Sequence, residues 1–232
     1  MRVIKVMPQI VSSASWQQRS TVRHARELLG KFLVRAGHEP KMITEVEAYD
    51  GERDLACHAR VGRTGRTEVM YGPGGVWYVY LCYGVHEMLN LVVGPSDWPA
   101  AVLIRGVEGC IGPGRVTKLL GIDRKLNASS AVTAGELWIE DHGVRVPPRL
   151  IKATARIGVN YAGPIWANKP WRFSFDPAAL PSRRTERAPM KSGKDPRRAG
   201  SPGPSAKAVP KSRDRSVQRA GRRARRPTPR DD

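Results

Sequence analysis

Residues 43–49 read Ile-Thr-Glu-Val-Glu-Ala-Tyr, an alternation that a strand accommodates and a helix does not. Side chains on a strand project to opposite faces in turn, so Ile43, Glu45, Glu47 and Tyr49 share one face and Thr44, Val46 and Ala48 the other. The second face is small and packable, and the first, with two carboxylates and a phenol, is expected to stay open. Downstream, Trp77-Tyr78-Val79-Tyr80-Leu81-Cys82-Tyr83-Gly84 is rich in aromatic and β-branched residues. A second apolar segment follows at 89–93. Gly84 supplies the positive φ of a tight reversal, so residues 76–93 are expected to form a hairpin with Tyr83 near its tip.

The other segments read less sharply. Residues 17–36 look helical, with Leu28, Leu29, Phe32 and Leu33 as an apolar stripe that Gly30 interrupts. Residues 50–72 form a polar, glycine-punctuated basic loop, and Pro73-Gly74-Gly75 marks a turn. A short buried strand is expected at 101–104, ending at Arg105. Gly112-Pro113-Gly114 precedes a helix through Val116, Leu119 and Leu120. Late strands are expected at 137–140 and 156–159.

The chain carries 40 Lys and Arg against 21 Asp and Glu, a net charge of +19, which favours a polyanionic partner. Residues 177–232 hold 17 basic and 5 acidic side chains and no Ile, Phe, Trp or Tyr. Such a segment buries too little surface to offset its ordering entropy, so it reads as a disordered basic tail. Seventeen cations there would displace counterions from phosphates, an expectation that the salt dependence of DNA binding checks. The division expected is a folded domain over 1–176 and a tail over 177–232. Cys57, Cys82 and Cys110 are widely spaced and include no Cys-x-x-Cys pair, which argues against structural zinc or a disulfide framework. The start, Met1-Arg2-Val3-Ile4-Lys5, fades into serines too soon for a signal peptide, and no run approaches transmembrane length.

A carboxylate face beside an aromatic platform in a basic chain points to chemistry on a stacked base. From about residue 25 to 175 the sequence resembles the alkyladenine (3-methyladenine) DNA glycosylase family. The resemblance is carried by Leu28-Leu29-Gly30-Lys31, Glu45-Val46-Glu47-Ala48-Tyr49, Asp54 with His58, Tyr78-Val79-Tyr80, Tyr83-Gly84, Asn90, Arg105 and Gly112-Pro113. Ala155-Arg156-Ile157-Gly158-Val159 and Lys169-Pro170-Trp171-Arg172-Phe173 complete it.

What this resemblance implies is specific. It implies a single mixed α+β domain with a curved antiparallel sheet and a protruding hairpin. It implies a monofunctional base-excision enzyme that flips an alkylated or deaminated purine out of duplex DNA and hydrolyses its N-glycosidic bond. Glu47 matches the general base and Arg105 the arginine that holds it and the water. Tyr49, His58, Tyr80 and Asn90 match the base pocket, and Tyr83 the residue that wedges into the minor groove. Arg60, Arg63, Arg66 and Lys169 are expected on phosphates, and Glu45 as a structural partner. No metal or cofactor is implied. The expected partner is damaged double-stranded DNA, with no membrane involved and the protein a monomer. Its place would be the cytoplasm, at the nucleoid, in a bacterium, or the nucleus in a eukaryote.

The chain departs from the family pattern in the residues 15–19 before the first helix, which lack an acidic cap, and at Val85 and Trp98. Two other readings stand beside the enzyme: a non-catalytic nucleic-acid-binding protein on the same scaffold, and a polybasic protein of membrane surfaces.

Overall fold

The computed structural model describes residues 7–181. In chain order the elements are β1 (Gln9–Ile10), α1 (Thr21–Leu28), β2 (Phe32–Arg35), β3 (Lys41–Asp50), β4 (Trp77–Cys82), β5 (His86–Val93), β6 (Ala100–Val107) and β7 (Cys110–Ile111). They continue with α2 (Pro113–Leu119), β8 (Leu137–Asp141), β9 (Lys152–Thr154), α3 (Gly163–Ala167) and β10 (Arg172–Ser174). Every strand pairing is antiparallel, and the main path runs β1-β8-β2-β3-β6-β5-β4. β10 joins the outer side of β3 and carries β9. Helices and an antiparallel sheet are thus mixed in one fold, as expected.

The sheet has two unlike faces. On one, Val46, Ala48, Trp77, Val79, Leu89, Leu91, Val102 and Ile104 meet Leu28 of α1 and Val116 of α2 in the main core. Burying each such large apolar side chain is worth about 1.5–3 kcal/mol. The other face carries Tyr78, Val92 and Ala101 against Cys57, Ala59 and Met70 from the 50–72 loop. That loop contains two 3-10 turns, His58–Val61 and Glu68–Tyr71, and functions as a cover for this second face.

The hairpin is formed by β4 and β5, paired from Trp77↔Leu91 to Cys82↔His86. Its second strand begins at His86, earlier than the apolar segment at 89–93. Tyr83 and Gly84 both take positive φ, 50° and 71°, and Cys82 O accepts from Val85 N. Tyr83 is 90% exposed, so the tip protrudes into solvent.

Several expectations are corrected. The helix read over 17–36 ends at Leu28, and Phe32 and Leu33 belong to β2. Gly30 causes the break: its φ is 82°, and a Cβ there would lie 2.9 Å from Val146 Cγ2. β3 is covered on both faces, with residues 43–48 all buried, because the chain after β9 lies over its carboxylate side and brings the Ile157 amide to Glu47. A bulge at Glu45 shifts the register, so Ile43 packs in the main core with Val46 and Ala48 instead of sharing the face of Glu47. Arg105 lies within β6, which continues to Val107. Pro113 and Gly114 are the first residues of α2, not a prelude to it. Residues 156–159 form no strand: Arg156 is drawn into a buried ion pair and Gly158 adopts φ 76°. Of the tail read over 177–232, residues 182–232 lie outside the described residues. Pro177–Ala179 forms a 3-10 turn in which the Asp176 side chain accepts from the Ala178 amide.

Candidate active site

The ladder that builds the second face also assembles the site. Across β3, β6, β5 and β4 one cross-strand row reads Glu47↔Leu103↔Asn90↔Tyr78. Tyr49 and Tyr80 lie two positions further along their strands on the same face, as period-2 alternation requires.

Glu47 is completely buried. Its Oε1 accepts from the Ile157 amide at 2.8 Å, and its Oε2 accepts from the Tyr49 hydroxyl at 2.8 Å. The Arg105 guanidinium lies 3.4 Å from Oε2. Burial pushes the Glu47 carboxyl above its ordinary pKa, opposed by Arg105, the Ile157 amide, Tyr49 and Arg156. Glu45 sits beside it as an ionic bracket, accepting from Arg105 Nε at 3.0 Å and Arg172 Nη1 at 3.0 Å. Arg105 therefore spans both carboxylates.

Adjoining Glu47 through Tyr49 is a cavity of about 40 Å3, lined among others by Tyr49, His58, Tyr78, Tyr80, Asn90 and Tyr161. His58 Nδ1 pairs with the Tyr78 hydroxyl at 3.0 Å, and its ring meets Tyr80 edge-on at 4.5 Å between centroids. Desolvation, with the charges of Arg66 and Arg60, lowers the His58 pKa to about 4, so the ring is neutral at pH 7. With Nδ1 engaged by Tyr78, Nε2 carries the ring's remaining hydrogen-bonding capacity. Asn90 is buried and tethered by its amide NH2 to Tyr78 O at 3.2 Å and Met88 O at 3.3 Å. Burial pushes the Tyr49 and Tyr80 hydroxyls well above their usual range, so both remain neutral donors.

The basic residues divide. Arg66 and Arg60 lie over cavity walls, 5.2 Å from the Tyr80 centroid and 5.0 Å from that of Tyr161. Lys169 sits between Trp166 and Trp171 at 4.5 and 4.7 Å. Arg63 is matched already by Glu68 at 2.7 Å and Asp97 at 3.1 Å. Tyr83 stands apart at the exposed hairpin tip.

Arg156 and the Ile157 amide fall in a run quoted from the sequence but given no role there. Arg156 is buried against Asp54, with Nη2 to Oδ1 at 2.8 Å, donates to Ala48 O at 2.8 Å, and lies 4.8 Å from the Tyr49 ring centroid. It pins the chain that presents the Ile157 amide to Glu47. A backbone donor leaves no mark in a residue pattern; the only signal was Asp54 far upstream of an arginine of opposite charge. Tyr161, a cavity wall, carried none. Among the described residues no group of three or more His, Cys, Asp or Glu side chains gathers as a metal site. No described helix is long and apolar enough to cross a membrane.

Comparison with known proteins gives the family. A profile of the family described as methylpurine-DNA glycosylase matches residues 15–111 and 108–178. A protein of Anaeromyxobacter sp. (strain Fw109-5) is 45% identical over 176 residues, covering 71% of this chain and 89% of its own length. One of Psychrobacter cryohalolentis is 43% identical over 191 residues, covering 67% and 89%. One of Methanocella arvoryzae is 44% identical over 178 residues, covering 67% and 87%. All three are named, provisionally, 3-methyladenine DNA glycosylases. With the match running through both the carboxylate strand and the hairpin, the chain belongs to the methylpurine-DNA glycosylase family and is a DNA glycosylase of base-excision repair.

Proposed function

We propose that this glycosylase is monofunctional and hydrolyses the N-glycosidic bond of alkylated or deaminated purines flipped from duplex DNA. The observation that carries the reading is Tyr49, which lines the aromatic cavity and also donates to the buried carboxylate of Glu47. A base stacked in that cavity is thereby set beside a general base.

In this reading Tyr49 and Tyr80 stack the flipped purine, His58 hydrogen-bonds it, and Asn90 shapes the cavity wall against normal guanine. Glu47 takes a proton from water as the water oxygen bonds to C1′. The C1′–N bond breaks and its electron pair leaves with the purine. A purine made cationic by alkylation departs neutral and needs no acid, whereas a deaminated purine takes its proton from solvent. Assistance of this kind is worth about 10²–10⁴-fold in rate. Arg105 keeps the carboxylate ionised and oriented. Tyr83 fills the space that the flipped nucleotide leaves, and Arg60, Arg66 and Lys169 meet phosphates; Arg63 does so only by leaving its carboxylates. The substrate is damaged duplex DNA and the acting species a monomer.

The test uses duplex oligonucleotides that each carry one lesion, among them 3-methyladenine analogues, 7-methylguanine, hypoxanthine and ethenoadenine. Strand cleavage that appears only after alkali is the expected result. Cleavage without alkali would reveal a lyase, and none with tight duplex binding intact would favour a non-catalytic binder.

A further inference from the structure

A cavity of about 40 Å3 has room for roughly three waters, each of which needs about 10–15 Å3 of such space. A bicyclic purine needs more room than that, so a site that takes a flipped base must widen first. Of the ten residues lining the cavity, nine are buried or half-buried; Tyr161 alone is exposed, at 59%. The wall gives most readily there.

Tyr161 sits on the 3-10 turn Asn160–Ala162, between Gly158 and Gly163, whose φ values are 76° and 75°. Neither glycine has a neighbour within 4 Å of where a Cβ would stand, so that side of both pivots is open. Two contacts hold the ring in place. Its hydroxyl donates to Ala56 O at 3.0 Å, and the Arg60 guanidinium lies 5.0 Å from its centroid. Both tie the 158–163 turn to the loop that forms the opposite lip of the cavity. One is a single neutral hydrogen bond and the other an exposed cation–π contact, and both are weak in water.

We propose that Tyr161 is the gate of the base cavity and a determinant of which base is retained, an inference that rests on the function proposed above. Tyr161 swings away from Ala56 to admit the flipped base and closes over it as a third aromatic wall beside Tyr49 and Tyr80. Arg60 links the gate to DNA: drawn to a phosphate, it leaves the Tyr161 ring, which then loosens as the duplex binds. Stacking by the closed ring favours the electron-poor faces of alkylated purines.

The experiment follows a duplex containing 1,N6-ethenoadenine, whose fluorescence rises on unstacking, by stopped flow with the full chain. Tyr161→Phe keeps the ring and removes its tether, so flipping is expected to be about five-fold faster, the effect of one lost hydrogen bond. Tyr161→Ala removes the wall, and the preference for excising 7-methylguanine over undamaged guanine is expected to fall about ten-fold, within the range for one stacking partner. Flipping no faster in Tyr161→Phe overturns the gate. Unchanged discrimination in Tyr161→Ala overturns its part in specificity. If the wild type excises lesions while both variants match it, this inference falls alone. If the wild type neither flips nor excises, the proposed function falls and the gate with it.

Discussion

Glu47 is a carboxylate held away from water by design of its neighbours, and its protonation sets two pH dependences of opposite use. Its pKa is raised chiefly by burial. As general base it acts only when ionised, so single-turnover excision is expected to fall as pH drops through a midpoint above 4.5, the ordinary value. A rate flat down to pH 4.5 would contradict this. For stability the sign is reversed. The raised pKa means that the fold favours the protonated form, so the contribution is fully present below the unfolded value and is lost as pH rises through the folded one. Glu47→Gln is therefore expected to be at least as stable as wild type at pH 7, with its advantage shrinking toward pH 4.5, as urea unfolding at both pH values would reveal. His58 runs the other way: held neutral with a pKa near 4, it favours the fold above pH 6.5 and ceases to as pH falls toward 4.

At the scale of elements, the hairpin and β3 do the positioning, and both were legible because their signals are local. Alternation fixed the strand, and a glycine after a tyrosine-rich run fixed the reversal. The cover over β3 was not legible. Ile157, which donates to Glu47, lies 110 residues away, and no spacing announces a backbone amide. The bulge at Glu45 escaped for a related reason, since it depends on how β6 and β10 meet β3. Residues 17–36 misled because an apolar pair on each side of Gly30 suits a helix as well as a helix followed by a strand; the close approach of Val146 decided the matter. At the hairpin tip Tyr83 holds φ 50°, a backbone region that favours glycine. Tyr83→Gly relieves that conformation at the cost of unfolded-state entropy, so stability is expected to change by no more than about 0.5 kcal/mol. Affinity for a lesion duplex is expected to fall about 5- to 100-fold with the lost stacking surface. Denaturant unfolding and fluorescence anisotropy measure the two, and unchanged affinity would remove Tyr83 from the DNA interface.

At the scale of the whole molecule, one sheet serves two purposes. One face packs the main core against α1 and α2, and the other holds a small aromatic cluster and a cavity under the 50–72 loop, with a buried carboxylate beside them under the chain after β9. The class of fold was legible in the chain's own patterns, whereas the roles expected of Glu47, Tyr49, His58 and Tyr80 came from the family resemblance. Arg156, the Ile157 amide and Tyr161 depend on the return of residues 155–163 over β3, a long-range event that composition does not encode. The central claim is that the carboxylate of Glu47 drives excision. Comparing wild type and Glu47→Gln in single-turnover excision of a lesion duplex, with duplex binding measured in parallel, tests it most directly. The account predicts excision lowered at least about 100-fold with binding retained. Excision at the wild-type rate in Glu47→Gln would contradict it.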